Sequence, residues 1–114
     1  MVGILTQQLH WGSLESESPY PGIERQTVHG EKQTLVRYLY RPGAVFPTHS
    51  HEQEQITIVM TGTIEFTIAE QIVELEAGGI AISPPNVQHS ARVIGNETVE
   101  SFNTLSPARE TQPG

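Results

Sequence analysis

Two histidines stand two residues apart near the middle of the chain, and a glutamine follows four residues after the second. His49, His51 and Gln55 lie in the segment 42–62, which continues into a hydrophobic strand and a glycine turn. Side chains alternate between the faces of an extended strand, so a regular strand points all three the same way. Two imidazoles and an amide oxygen on one face make up most of a metal site. His89, in a later segment, is the candidate fourth ligand.

This ligand set is rich in nitrogen and carries no formal charge. Imidazole nitrogen suits Zn, Fe, Ni, Cu and Co, whereas carboxylate and carbonyl oxygens suit harder ions such as Mn and Mg. A divalent ion without a carboxylate ligand keeps its full charge, which favours a strong Lewis acid and the capture of an anionic ligand. We therefore expect one divalent metal ion, with Zn, Ni, Mn, Fe and Co as candidates, and a small anionic partner. Glu52 and Glu54 alternate onto the opposite face and are expected to be solvated.

Composition narrows the class of protein. The 114 residues fit one domain, and the net charge of −7 repels phosphate backbones, which argues against nucleic-acid binding. The absence of cysteine excludes a disulfide framework and a thiolate metal site. The N-terminus lacks the basic start and apolar core of a secretory signal, and no apolar run approaches the roughly 18 residues that span a bilayer. We predict a cytoplasmic protein with no membrane partner.

Short strands punctuated by glycine and proline account for most of the chain after residue 22. The pattern predicts strands over residues 23–30, 34–41, 55–60, 63–69, 71–76, 78–83, 89–95 and 98–106. Without a convincing helical segment, this spacing indicates an all-β sandwich or barrel. The expected organisation is an N-terminal arm over residues 1–22, a barrel domain over 23–109 and a polar, frayed tail over 110–114.

Two features bear on assembly. The arm is turn-rich and indicates a loop; it is either a surface segment or is packed by Leu5, Trp11 and Tyr20 onto the barrel or a partner subunit. The strand that begins at Gln55 has Gln55, Thr57 and Val59 on one face and Ile56, Ile58 and Met60 on the other. Apolar residues on both faces indicate a strand that is covered on both sides. The cover has to come from another sheet, the arm or a second subunit, and we predict a homodimer.

The spacing of these residues resembles two motifs of the cupin family. The first reads Gly43-x5-His49-x-His51-x3-Gln55-x6-Gly62, with glutamine where most cupins have glutamate, and the second reads Gly78-x5-Pro84-x-Asn86-x2-His89. Asn86 stands at the usual glycine and Val93 where an asparagine is common; asparagine tolerates a left-handed backbone better than most residues. The resemblance implies a double-stranded β-helix, or jelly-roll, barrel, with His49, His51, Gln55 and His89 as the metal ligands.

A narrower resemblance involves the last predicted strand. The chain is similar to the small single-domain cupins of pectin and alginate breakdown, which convert 4,5-unsaturated monouronates to linear ketonized sugars at a His, His, Gln, His metal site. Their Asp-x-Phe-Ser-Pro-x-Arg pattern corresponds here to the segment 103–109, NTLSPAR. The resemblance implies that Arg109 grips a substrate carboxylate and that Asn103 occupies a catalytic position. Asn103 cannot exchange a proton near neutral pH as aspartate does, and Leu105 replaces the aromatic residue. By parity Asn103 and Leu105 face inward together; the alternative for Arg109 is an exposed arginine after the last strand.

Three functions follow from these residues. The first is a metal-dependent enzyme that acts on a small acidic or carbonyl compound such as an unsaturated sugar uronate. The second is oxygen chemistry at iron, ranked lower because a neutral ligand set stabilises Fe(III) less well. The third is a non-catalytic cupin that binds or senses a sugar acid, an alternative that the substitutions Asn103 and Leu105 favour.

Overall fold

The computed structural model describes residues 6–109, which form two antiparallel sheets, one 3-10 helix and no α-helix. In chain order, the 3-10 helix Trp11–Ser13 is followed by β1 (Glu17–Tyr20), β2 (Ile23–His29), β3 (Thr34–Tyr40), β4 (Val45–His49), β5 (Glu54–Thr61), β6 (Thr63–Ile68), β7 (Gln71–Leu75), β8 (Ile80–Ser83), β9 (His89–Ile94) and β10 (Val99–Ser106). The all-β fold expected from the sequence is confirmed. No helix in this part of the chain is long and apolar enough to cross a membrane.

The strands divide into a larger and a smaller sheet. The six-stranded sheet has the order β1-β2-β3-β10-β5-β8, and the four-stranded sheet has the order β4-β9-β6-β7. Every second residue of β3 and β10 is buried, so each strand turns one face toward the other sheet and one face outward. The inward face of β10 carries Val99, Ser101, Asn103 and Leu105, which confirms the parity expected for Asn103 and Leu105.

The core fills the space between the sheets. Its fully buried aliphatic residues include Ile23, Val36, Val59, Ile64 and Val99, and an aromatic group of Tyr38, Tyr40, Phe46 and Phe66 lies among them. Tyr38 and Phe46 meet edge to face with ring centroids 5.8 Å apart. Aromatic rings bury a large area and prefer such tilted contacts, so these four side chains form a well-packed aromatic part of the core.

The glycine that closes the first cupin-like motif has a structural explanation. Gly62 lies between β5 and β6, where the chain passes from the larger to the smaller sheet, and its φ is 74°. A Cβ at this position would lie 2.8 Å from Cγ2 of Val99. Both the positive φ and the lack of space require glycine.

The N-terminal arm differs from the loop expected over residues 1–22. Glu17–Tyr20 forms β1, which pairs with β2, so the prediction of a loop is wrong for this segment. Trp11 packs on Phe102 with centroids 5.7 Å apart, and Tyr20 packs on Phe46 at 5.0 Å. These contacts confirm that the arm packs onto the barrel, whereas Leu5 and the tail over residues 110–114 lie outside the described residues.

Candidate metal centre

Three histidines, two from one segment of the chain and one from a distant strand, meet between the sheets. His49 is the last residue of β4 and His89 the first of β9, and the two are register partners with ring centroids 4.2 Å apart. His51 lies in the connection between β4 and β5, with its centroid 5.6 Å from that of His49 and 4.9 Å from that of His89. Each ring offers a nitrogen, and the three nitrogens lie within 4.8 Å of one another.

The sequence predicted this convergence for the wrong reason. A single regular strand through His49, His51 and Gln55 does not exist, because β4 ends at His49 and β5 begins at Glu54. The intervening chain leaves the four-stranded sheet and joins the six-stranded one. The three side chains converge because this crossing brings both sheets to one point, and not because of alternation along one strand.

Backbone carbonyls fix the orientation of all three rings. Nδ1 of His49 lies 3.0 Å from the carbonyl oxygen of Pro47, and Nδ1 of His51 lies 2.9 Å from that of Gln53. Nδ1 of His89 lies 3.0 Å from the carbonyl oxygen of Val87. A carbonyl oxygen only accepts, so each Nδ1 carries the proton and donates it. Each neutral ring therefore keeps a lone pair on Nε2, which is the arrangement of a metal ligand held by an outer hydrogen bond.

Three polar atoms at the centre fit a cation. Nε2 of His89 is buried and has no hydrogen-bond partner within residues 6–109. Oε1 of Gln55 lies 3.2 Å from Nε2 of His51, and both atoms are acceptors when Nδ1 of His51 donates to a carbonyl. Two lone pairs facing each other are unfavourable unless a cation lies between them. His49, His51, Gln55 and His89 thus form a donor set that fits a divalent metal ion.

The histidines are neutral at physiological pH. Burial lowers the pKa of His49 to about 4 and lowers the pKa of His51 and of His89 below the ordinary value. The positive charge of Arg109 is a smaller cause of the same lowering in all three. Because a metal ion binds the unprotonated imidazole, these lone pairs are available without prior loss of a proton.

A buried hydrogen-bond network surrounds the amide of Gln55. Its Nε2 donates to Oγ1 of Thr57 at 3.1 Å and contacts Oδ1 of Asn103 at 3.4 Å. Thr57 Oγ1 donates to Asn103 Oδ1 at 2.6 Å, and Asn103 Nδ2 donates to Oγ of Ser101 at 3.1 Å. Thr57, Asn103 and Ser101 are each at most 2% exposed. Thr57 and Ser101 were not predicted as site residues, although their inward parity with Gln55 and Asn103 was the available signal.

Arg109 lies inside the barrel, so its interpretation as an exposed arginine is wrong. Its backbone N–H donates to Oγ1 of Thr34 at 2.9 Å, and its Nε donates to Oε1 of Gln53 at 3.3 Å. Only 8% of the residue is exposed. Arg25, which hydrogen-bonds Tyr38, adds positive charge nearby, although Glu17 pairs with it at 2.8 Å. This part of the interior is therefore cationic in an otherwise acidic protein.

A small cavity lies beside the ligand set. It has a volume of about 20 Å3 and is lined by Tyr38, Tyr40, Phe46, His49, Gln55, Phe66, His89, Ser90 and Ala91. This volume holds one water molecule or an ion. A ligand as large as a sugar therefore has to bind at the open side of the histidines, where His49 and His51 are only half-buried.

The remaining candidates lie elsewhere. Glu52 and Glu54 are exposed, as expected from the sequence. His10 accepts the N–H of Gly12 at the start of the 3-10 helix, and Nδ1 of His29 lies 3.2 Å from the carbonyl oxygen of Arg109. Within the described chain, the histidines that gather as a possible metal group are those at 49, 51 and 89.

A two-sheet jelly roll with a histidine-lined interior defines a class of small β-barrel proteins, and comparison with known families specifies it. Residues 36–104, more than half of the chain, match the cupin domain. The protein belongs to the cupin family. No curated protein sequence matches the chain.

Solved structures agree with this assignment. An RmlC-like cupin from Shewanella frigidimarina is 26% identical, with 93% of this chain and 95% of that chain covered and a TM-score of 0.83. KdgF from a Halomonas species is 23% identical, with 93% and 97% covered and a TM-score of 0.82. A variant of oxalate decarboxylase from Bacillus subtilis is 16% identical, with 96% of this chain but 32% of that chain covered and a TM-score of 0.85. At identities of 23% and 16%, the last two matches establish a shared fold.

Proposed function

We propose that the protein is a metal-dependent cupin enzyme that acts on a small acidic compound, such as an unsaturated sugar uronate. The observation that carries the proposal is the set of three rings whose Nδ1 atoms are tied to carbonyls and whose free nitrogens converge. Structural histidines in a core normally use both nitrogens for hydrogen bonds, but Nε2 of His89 has no such partner among residues 6–109.

In the proposed enzyme the metal ion and Arg109 have different roles. His49, His51, Gln55 and His89 would hold a divalent ion, and this ion would supply a Lewis acid for a carbonyl, hydroxyl or enol oxygen of the ligand. The guanidinium of Arg109 then orients the carboxylate of the ligand, since its planar donors match two carboxylate oxygens. Arg109 is buried in the same interior and its positive charge lowers the pKa of all three histidines, which supports assigning both groups to one site.

The substrate class follows from charge and from the sequence resemblance. Neutral ligands leave the charge of the ion uncompensated, and the buried guanidinium adds to it, so an anion is the favoured ligand. KdgF is a structural neighbour at 23% identity, which supports the fold; the uronate proposal rests on Gln55 and Arg109 at the positions of the resembled motifs. Asn103 has no proton to exchange near neutral pH, and the proposed mechanism assigns it no acid or base role.

The test begins with metal content and ends with turnover. Protein purified without a metal-chelating tag is analysed for metals and then supplied with 4,5-unsaturated monouronate. We expect about one divalent ion per chain and loss of the absorbance of the double bond. Failure to turn over the uronate or related acidic sugars with any of Zn, Ni, Mn, Fe or Co would overturn the enzyme proposal.

A second candidate is a non-catalytic cupin that binds a sugar acid. The observation that favours it is Asn103, whose amide is fully engaged by Thr57, Gln55 and Ser101 and replaces the acid of the resembled enzymes. In this case the metal and Arg109 anchor the ligand without changing it. Calorimetric binding of a uronate that is afterwards recovered unchanged supports this candidate over the enzyme.

A further inference from the structure

The amide of Gln55 can present either of its two ends to the histidines, and only one end binds a metal. The carboxamide oxygen is a metal ligand, whereas the NH2 group is a donor with no lone pair to offer. In the metal-free state the NH2 end would be preferred, because it could donate to the lone pair on Nε2 of His51. The structure has the opposite orientation, with Oε1 of Gln55 at 3.2 Å from that nitrogen.

Two hydrogen-bond acceptors on β5 and β10 account for this orientation. Thr57 Oγ1 and Asn103 Oδ1 lie 3.1 and 3.4 Å from the NH2 group of Gln55. Asn103 is held in turn, since its oxygen accepts from Thr57 at 2.6 Å and its nitrogen donates to Ser101. All three supporting residues are buried and cannot exchange these hydrogen bonds for water.

We infer that Asn103 is a positioning residue of the metal centre: with Thr57 it binds the NH2 end of Gln55 and so directs the amide oxygen to the metal. The inference rests on the proposed metal site, and it replaces the catalytic role expected for Asn103 from the sequence resemblance. Residue 103 needs an acceptor oxygen for this task and does not need a titratable group.

The test measures Co2+ affinity by competition with a chelator and records the visible absorption of the Co2+ protein. Asn103→Leu removes the acceptor at similar size, and we expect its affinity for Co2+ to fall about 10- to 100-fold, as for other outer partners of metal ligands. The absorption spectrum should change with it, since the oxygen ligand is lost. Asn103→Asp keeps the acceptor, so its affinity should be at least that of the wild type. Should Asn103→Leu fail to fold, Thr57→Val tests the same hydrogen-bond chain and is expected to give the same loss.

A double-mutant cycle with Gln55→Ala separates positioning from general damage. If Asn103 acts through Gln55, adding Asn103→Leu to Gln55→Ala should cost no further affinity. Wild-type affinity and spectrum in Asn103→Leu, or an equal loss in both backgrounds, would overturn the inference. A wild type that binds no metal would remove both this inference and the proposed function, whereas a metal-loaded protein without turnover would remove only the enzyme.

A separate observation concerns the outside of the larger sheet. Ile56, Ile58 and Met60 of β5 lie beside Ile80 and Ile82 of β8, with Ile56 opposite Ile82 and Ile58 opposite Ile80; we call these five residues the β5–β8 face. Ile80, Ile82 and Met60 are 60%, 56% and 46% exposed. On the neighbouring strand β10, Trp11 of the arm covers Phe102. The β5–β8 face next to it has no such cover from the described residues of the arm.

The outer face of the smaller sheet provides the contrast. It carries Glu74 and the pair Arg92–Glu65, whose nitrogen and oxygen lie 2.9 Å apart, as expected of a solvated surface. The β5–β8 face has no charged member and is bounded at one end by Glu54. It lies at the edge of the six-stranded sheet, and β8, with the sequence IAIS, has none of the lysine or proline that usually protects an edge strand.

We propose that the β5–β8 face is the contact surface of a homodimer. Copies that each carry a net charge of −7 repel one another, which favours contact at a surface without charged residues. A twofold axis places the same patch on both partners, and an aliphatic patch is complementary to itself without opposite charges. This arrangement covers the outer apolar face of β5, which carries Ile56, Ile58 and Met60.

Light scattering combined with size-exclusion chromatography tests the proposal on the full chain. The wild type should be a dimer at micromolar concentration, and Ile82→Glu should be a monomer with metal content unchanged. Ile72→Glu is the matched control, because Ile72 is 67% exposed on β7 of the other sheet and should leave the dimer intact. A monomeric wild type, or a dimer that Ile82→Glu does not weaken, would overturn the proposal.

Discussion

The two ends of the barrel interior are built on opposite principles. At one end Val99 pairs with Tyr40, which pairs with Ile23, and each of the three is at most 3% exposed. At the other end Leu105 pairs with Thr34 and Gln55, and Asn103, two residues earlier on the same strand, pairs with Thr57. The same strands thus run from an apolar region, where shape matters, to a polar region, where every donor and acceptor has to be matched.

Stability and function therefore depend on different ends of the interior. The apolar end buries Ile23, Val99 and Tyr40 almost completely, so it contributes hydrophobic stabilisation whether or not a metal is bound. The polar end keeps lone pairs on Gln55 and the histidines directed at one point, an arrangement that only a bound cation satisfies. Mutations at the two ends should therefore affect different measurements.

The largest effect is expected for His51→Ala. Removing a ligand whose Nε2 faces the centre should lower metal affinity by more than about a hundredfold, beyond the range seen for outer partners. Metal analysis after dialysis measures the loss. His10→Ala is the matched control, because His10 only accepts the N–H of Gly12 on the exposed arm. Full metal stoichiometry in His51→Ala would refute the ligand set.

Ile64→Ala should affect the apolar end alone. Ile64 is 0% exposed, and truncation of a buried isoleucine lowers the free energy of unfolding by about 2–5 kcal/mol through lost burial and a cavity. Urea denaturation measures this change, while the metal content of the folded protein should stay at the wild-type value. Ile72→Ala, at an exposed position of β7, should stay within about 0.5 kcal/mol of the wild type. Loss of metal from folded Ile64→Ala would show that the two ends are coupled.

Arg109→Lys tests the ligand-binding side of the polar end. Lysine keeps the charge but loses the planar pair of donors, and a charge-assisted hydrogen bond is worth about 1.5–3 kcal/mol. If the enzyme proposal holds, kcat/KM for the uronate should fall about 10- to 100-fold. Metal content and the melting temperature serve as controls, because Arg109 also contacts Gln53. Unchanged kcat/KM would exclude Arg109 from the recognition of the carboxylate.

The sequence was sufficient for the all-β fold, because strand alternation and turns are local patterns, and the spacing of the histidines indicated the residues that gather at 49, 51 and 89. Period-2 alternation and glycine turns predicted eight of the strands, and the turn at Ala69 and Glu70 has the positive φ values of 49° and 68° that such a tight turn uses. Two strands, β4 and β1, were missed. Pro47 interrupts the pattern of β4, and Glu-Ser-Pro-Tyr of β1 has neither alternation nor strand formers beyond Tyr20. The position of β1 depends on pairing with β2, a tertiary contact that leaves no local pattern.

Local sequence patterns could not predict the hydrogen bonds that hold the site residues in place. Thr57 lies 46 residues before Asn103, and the pairing of β5 with β10 makes the two residues register partners. The burial of Arg109 likewise depends on Thr34 and Gln53, which belong to distant segments. Spacing predicts which residue types gather along a strand, but the partners across strands follow from register.

The smallest effect is a pH dependence of the metal-free protein. The pKa of His49 is lowered to about 4, and those of His51 and His89 are also lowered, whereas the unfolded chain titrates near the ordinary value of 6.5. Below pH 6.5 the unfolded state binds more protons than the folded state, so the free energy of unfolding should fall as the pH drops from 6.5 toward 4.

Urea denaturation of chelator-treated protein at pH 7, 6 and 5 measures this slope, and His49→Asn should reduce it by removing one of the three groups. Glu65 does not interfere, because Arg92 lowers the pKa of its carboxyl from 4.5 and its contribution is lost only below the pH range measured. A slope that is the same in His49→Asn and the wild type would place the protonation elsewhere. The three histidines whose pKa is lowered all lie at the polar end, and Tyr40 at the apolar end has a pKa raised above its ordinary value of 10.0, so the slope between pH 7 and 5 reports the polar end.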